Sequence, residues 1–147
     1  MESSQHTPSV EIGKQVMFFD TDCAGVVHNI AYLRHIEEAR TLLAAELGWQ
    51  LDGMADSGLY PVVVRTEIDY KRPAKLGDNL VVHGWLESFE RMRFWCAFEV
   101  RRPGDGTLNI TCRQSLALVQ APEMKLAKLP SDWSRRYPHL KRRAQRA

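Results

Sequence analysis

The chain has 147 residues, 44% of them apolar and 26% charged, which fits one soluble globular domain with a single core and excludes a disordered chain. Its longest apolar runs span only a few residues, too few for a membrane-spanning helix, and the polar stretch Met1 to Ser9 does not resemble a secretory signal. The net charge of +2 is uneven: Arg135 to Ala147 carries six basic residues and no acid, leaving 14 basic against 18 acidic residues in 1–134.

A body of −4 argues against nucleic acid as the main partner. The predicted organisation is a single domain over 1–134 followed by a solvated basic tail over 135–147. Cys23, Cys96 and Cys112 are odd in number, widely spaced and without a CxxC pair, which predicts free thiols and a cytoplasmic setting.

In chain order, Val10, Ile12, Lys14, Val16 and Phe18 alternate, predicting a strand over Val10–Phe19. A turn follows, and Asn29 to Gly48 reads as a helix in which Ile30, Leu33, Ile36, Leu43 and Leu47 recur at three- and four-residue steps. Tyr32, Ala39 and Ala44 widen that stripe, so the helix is expected to be enclosed on several sides. Asn29 is the predicted N-cap and Gly48 the stop. Trp49 to Leu59 reads as a loop.

Tyr60–Arg72 alternates, with Val62, Val64, Thr66, Ile68 and Tyr70 on one face and Val63, Arg65, Glu67, Asp69 and Lys71 on the other. Pro73 ends it and Leu76-Gly77-Asp78-Asn79 turns the chain. Leu80, Val82, Gly84 and Leu86 mark the next strand, and Met92, Phe94, Cys96, Phe98 and Val100 the one after. Pro103-Gly104-Asp105-Gly106 is a turn, and Leu108 to Leu118 is the last strand. Short connections predict an antiparallel meander. The pattern is α+β: a five-stranded antiparallel sheet wrapped around one long helix.

The chemistry-bearing residues gather between the first strand and the helix, in Asp20-Thr21-Asp22-Cys23-Ala24-Gly25-Val26-Val27-His28-Asn29. A helix that starts there presents unpaired amides and the positive end of its dipole, which suit a developing oxyanion. Asp22, just upstream, is placed to attack a carbonyl or to activate a water. Asp20 reads as a cap of the turn or the partner of an arginine. His28 reads either as an orienting group or as a hydrogen-bonded wall. Glu37 is divided between an ion pair and a site role, and Cys23 reads as small-residue packing.

Arg65, Lys71, Arg72, Arg91 and Arg93 suit phosphate contacts or solvated strand faces equally. Asp20, Asp22 and His28 are too few matched ligands for a metal site, so none is predicted. An aspartyl-phosphate phosphatase would need Thr or Val at Ala24 and a repeating βα sheet, and both are missing.

Asp20-Thr-Asp22-x-x-Gly25-Val-Val-x-x-x-x-Tyr32-Leu33, followed by Glu37-x-x-Arg40 and by Tyr70-x-x-Pro73-Ala-x-x-Gly77-Asp78, resembles the hotdog-fold acyl-CoA thioesterases. The nearest group is the 4-hydroxybenzoyl-CoA thioesterase and YbgC-like family, and the similarity runs from about Val10 to Val119. The resemblance implies Asp22 as the catalytic carboxylate, a backbone donor at Asn29, and Gly25 where a side chain would block the thioester. Gly25, Val27, Tyr32, Glu37, Val62, Val63 and Arg65 are the candidate substrate-binding residues, and Met54 and Leu59 are further candidate pocket walls.

The same resemblance implies an acyl-CoA substrate with no cofactor beyond its coenzyme A, and a homodimer or dimer of dimers whose sheets join edge to edge. Family members often read Val-Val-Tyr-His where this chain has Val26-Val27-His28-Asn29, so the family histidine is displaced by one position here. The alternative is a hotdog module that binds acyl-CoA or an acyl carrier without turnover.

Overall fold

The computed structural model describes residues 6–142. Strand β1 (Ser9–Gln15) leads through a 3-10 turn (Phe18–Asp20) into helix α1 (Asn29–Glu46) and a short helix α2 (Leu51–Ser57). Strands β2 (Leu59–Tyr70), β3 (Asn79–Phe89), β4 (Arg93–Arg102) and β5 (Thr107–Gln120) follow. A short β6 (Lys125–Ala127), the helical turn α3 (Trp133–Arg136) and a 3-10 turn (Pro138–Leu140) complete it.

Every pairing between these strands is antiparallel, in the order β1-β3-β4-β5-β2, with β6 appended to β5. The expected α+β architecture of five long strands around one helix is therefore present, but the expected meander holds only for β3-β4-β5, because β2 pairs with β5 and not with its successor β3.

Two periodicities build the core. Ala31, Tyr32, Ile36, Ala39, Leu43 and Ala44 form the buried stripe of α1. Leu80, Val82 and Leu86 form the matching face of β3, every second residue pointing to the helix. Phe94, Phe98, Ile110 and Leu116 close the layer from β4 and β5. Gly84 permits this packing, because a Cβ there would stand 2.8 Å from the Phe98 ring. None of the described helices is long and apolar enough to cross a membrane.

Several expected boundaries move. β1 stops at Gln15 because its partner β3 begins opposite it, at Asn79. Residues 18–20 turn instead, leaving Phe18 and Phe19 exposed. The N-cap of α1 is His28, not Asn29. Within one chain α1 is covered on a single face, with Ile30, Glu37, Glu38 and Leu42 exposed.

The stretch expected as a loop after Trp49 contains α2, which buries no side chain and so has no apolar periodicity to announce it. A bulge between Val63 and Arg65 shifts the phase of β2. Val63 lies opposite the core residue Leu116 and Thr66 opposite Gln114, so Val63 shares the helix-side face and Val62 points away from it.

The boundary expected between 134 and 135 falls inside α3. Trp133 and Tyr137, four residues apart, are both buried, and Trp133 packs on Trp49, Phe89 and Phe94 with ring centroids 5.4–5.5 Å apart. The Arg142 amide donates to the Phe89 carbonyl at 2.8 Å. Residues 135–142 thus lie against the body, and the rest of the expected tail lies outside the described residues.

Candidate active site

The turn between β1 and α1 is a small closed loop. The Asp22 amide donates to the Val26 carbonyl at 2.9 Å, and the Gly25 amide donates back to the Asp22 carbonyl at 3.0 Å. Gly25 has φ +77°, a left-handed conformation that a β-carbon disfavours. Bridges from Thr21 to Val27 and from Val26 to Lys75 tie this loop to the connection before β3.

Asp22 is exposed, and its Oδ1 accepts from the Ala24 amide at 2.9 Å and the Val26 amide at 3.4 Å. Its Oδ2 has no hydrogen-bond partner among the described residues.

Helix α1 starts directly after this loop. His28 caps it, its Nδ1 accepting from the Ala31 amide at 3.2 Å. That bond makes Nδ1 the accepting nitrogen of the His28 ring. The Ile30 amide is taken by Asn29 Oδ1 at 3.0 Å. The Asn29 amide alone among N1 to N3 has no partner among the described residues, at the positive end of an 18-residue helix. An open carboxylate oxygen and an open amide donor therefore flank one stretch of loop.

Asp20 has the structural role expected of a cap, though its partner is a histidine and not an arginine. It is 3% exposed, with Oδ2 accepting from the Met17 amide at 2.9 Å and Oδ1 lying 3.4 Å from His35 Nε2. Sequence reading missed His35, although a titratable residue inside the Tyr32–Ile36–Ala39 stripe was the available signal.

Other expected site residues are placed elsewhere. Tyr32 is a core residue, its hydroxyl accepting from the Ala74 amide at 3.1 Å, and burial pushes its phenol above the usual range. Val27 is also buried, its amide donating to the Ala74 carbonyl at 2.9 Å. Both hold the site from behind and line no open surface. Glu37 is exposed, 3.9 Å from Arg40 and two turns, about 12 Å, along α1 from Asn29.

Val62, Val63 and Arg65 lie on β2, whose Tyr70 end packs near Tyr32 with ring centroids 6.0 Å apart. Seven residues of strand separate Val63 from Tyr70, roughly 23 Å. One chain does not bring them to Asp22. Arg65 instead pairs with Glu67 at 3.1 Å.

An apolar cavity of about 110 Å³ lies beside the C-terminal half of α1, lined by Leu43, Leu47, Trp49, Met54 and Pro61, with Arg40 at its edge. Met54 is the expected pocket residue found there. Arg40 Nη1 donates to Gln114 Oε1 at 2.8 Å, so its guanidinium is anchored to the sheet. Cys96, in the same wall, is buried, and burial pushes its thiol up to about 12, whereas Cys23 is exposed.

An antiparallel sheet wrapped around one helix, with a carboxylate-bearing turn at that helix's N-terminus, defines a hotdog-fold protein. Within that class the chain belongs to the thioesterase-like superfamily, whose family model matches residues 16–137. It is similar to YneP of Bacillus subtilis, whose name proposes an acyl-CoA thioesterase, with 30% identity over 93% of this chain and 99% of the relative.

A 1,4-dihydroxy-2-naphthoyl-CoA hydrolase of Synechocystis is 29% identical over 82% of this chain and 88% of its own. The crystal structure of Slr0204, a 1,4-dihydroxy-2-naphthoyl-CoA thioesterase from Synechocystis, superposes with a TM-score of 0.77 at 27% identity, covering 90% of this chain and 97% of that one.

Proposed function

We propose that this chain hydrolyses acyl-CoA thioesters to a carboxylic acid and free coenzyme A, with Asp22 as the reacting carboxylate and the Asn29 amide as oxyanion donor. The carrying observation is the open Asp22 Oδ2 just ahead of the open Asn29 amide, in a family of thioesterases. Two routes use that pair. In one, Oδ2 takes a proton from water as the water oxygen bonds to the carbonyl carbon, the C–S bond breaks, and the thiolate recovers the proton. In the other, Oδ2 bonds to the carbonyl carbon itself, the thiolate leaves, and water opens the resulting anhydride. In both, negative charge on the carbonyl oxygen meets the Asn29 N–H, a donor of a kind typically worth about 2.7–4 kcal/mol.

The active unit is a homodimer, or a dimer of such dimers. Among the described residues β2 is an edge strand with one side unpaired and with Val63, Val64 and Tyr70 exposed, a form suited to pairing with a second copy. A partner set there supplies walls that one chain does not bring to Asp22. Coenzyme A enters as part of the substrate, no other cofactor takes part, and the exposed thiol of Cys23 suits a reducing cytoplasm.

The test is a panel of aliphatic and aromatic acyl-CoA thioesters, including 1,4-dihydroxy-2-naphthoyl-CoA, assayed by trapping the released thiol. At least one should be cleaved with kcat/KM of about 10⁴ M⁻¹s⁻¹ or more. Saturable binding without thiol release across the panel would replace hydrolysis with the non-catalytic binding module.

A further inference from the structure

Of the ten residues 17–26, the stretch that carries Asp22, only Asp20 is buried. Phe18 and Phe19 are 82% and 73% exposed, so apolar packing does not anchor this segment within the chain. Alongside the bridges from Thr21 to Val27 and from Val26 to Lys75, hydrogen bonds to Asp20 hold it. Its Oδ2 accepts from the Met17 amide, and its carbonyl accepts from the His28 amide at 3.0 Å, joining turn and helix cap. Its Oδ1 faces His35 Nε2 at 3.4 Å, from a residue two turns further along α1.

His35 is 3% exposed and sits among Tyr32, Ile36 and Ala39, where an apolar side chain would be ordinary. A buried polar ring there calls for a partner, and the Asp20 carboxylate is the partner it has; its Nδ1 has none among the described residues.

We propose that His35 is a positioning residue: by holding Asp20 from the face of α1, it fixes the Asp22 turn relative to the first amides of that helix. The inference rests on the hydrolytic reading of Asp22 and Asn29 and adds the device that keeps them in register. The two groups belong to different elements, and a displacement of about 1 Å between reacting groups is enough to cost roughly 100-fold in rate.

The charged groups around the ring are Asp20 from the turn, Lys14 from β1, and Arg34 and Glu38 from α1, which line one cavity of about 380 Å³. Lys14 and Glu38 neutralise each other across it at 3.0 Å. Burial pushes His35 below its usual range although Asp20 pulls it upward, so the ring near neutral pH is an uncharged donor to the carboxylate.

The experiment compares wild type, His35→Leu and His35→Gln in steady-state thiol release, well below each melting temperature. Leu fills the space without a donor; Gln replaces the N–H without titrating. Expected are a fall in kcat of about 10- to 100-fold for Leu with KM changed by less than about threefold, and recovery to within about threefold of wild type for Gln. In an Asp20→Asn background, the Leu substitution should lose most of its effect.

A folded His35→Leu protein with wild-type kcat would overturn the proposal while leaving Asp22 hydrolysis intact. Amide exchange separates the two readings further. His28 and Met17 amides should exchange about tenfold faster in the Leu variant while Ala39 does not, and unchanged rates overturn the positioning role even if no acyl-CoA is cleaved. Should Leu fail to fold, His35→Met carries the same comparisons.

Discussion

The Asp22 turn and the Trp133 cap lie at opposite ends of β3, and they are held by different physics. The cap buries two large aromatic side chains, Trp133 and Tyr137, in a cluster with Trp49, Phe89 and Phe94. The turn buries one carboxylate, and every other residue from Met17 to Val26 is exposed or half-buried. Apolar attachment is strong and non-directional, so it secures a segment without setting angles. Hydrogen bonds contribute less each but fix geometry, which is what a reacting pair needs. The difference teaches where stability and activity reside, and substitutions should separate them.

Trp133→Ala should give the largest loss of stability, about 3–5 kcal/mol, because it empties a fully buried site. Measured by denaturant unfolding, that loss should come with unchanged kcat per folded molecule. A matching loss of kcat would erase the contrast between the two regions. Gly25→Ala, in the turn, should cost about 1–2 kcal/mol from its positive φ alone, since a Cβ there meets nothing within 4 Å. Its kcat should fall by more than its stability accounts for.

The smallest effect is one of pH. The folded state lowers the His35 pKa, so as pH falls past about 6.5 the unfolded chain binds a proton first. Stability contributed by the neutral ring is therefore full above that pH. It declines below it by at most about 1.4 kcal/mol per unit, until His35 protonates in the fold. Thermal melts of wild type and His35→Gln between pH 7.5 and 5 should differ by that slope, and parallel curves would remove His35 titration from the account.

What the sequence made legible follows from periodicity. Ile36 and Leu43 in the helix, and Leu80, Val82 and Leu86 in β3, are buried where their spacing puts them. The Asp22 turn was legible from its motif, since two carboxylates, a glycine and a helix start fall within ten residues.

Other features leave no periodic trace. α2 exposes nearly all its side chains, and the bulge beside Val64 is one extra residue in an otherwise regular alternation. Trp133 and Tyr137 were hidden because the basic residues around them dominate the composition of the segment. Tyr32 and Val27 stand in the motif and were expected at the site, yet the backbone of Ala74 draws both inward.

The measurement that bears most directly on the whole account is kcat for coenzyme A release by Asp22→Asn, assayed on protein that melts within a few degrees of wild type. The geometry predicts a fall of about 10² to 10⁴-fold. A folded variant that cleaves acyl-CoA within about tenfold of wild type would place the reacting group elsewhere and contradict it.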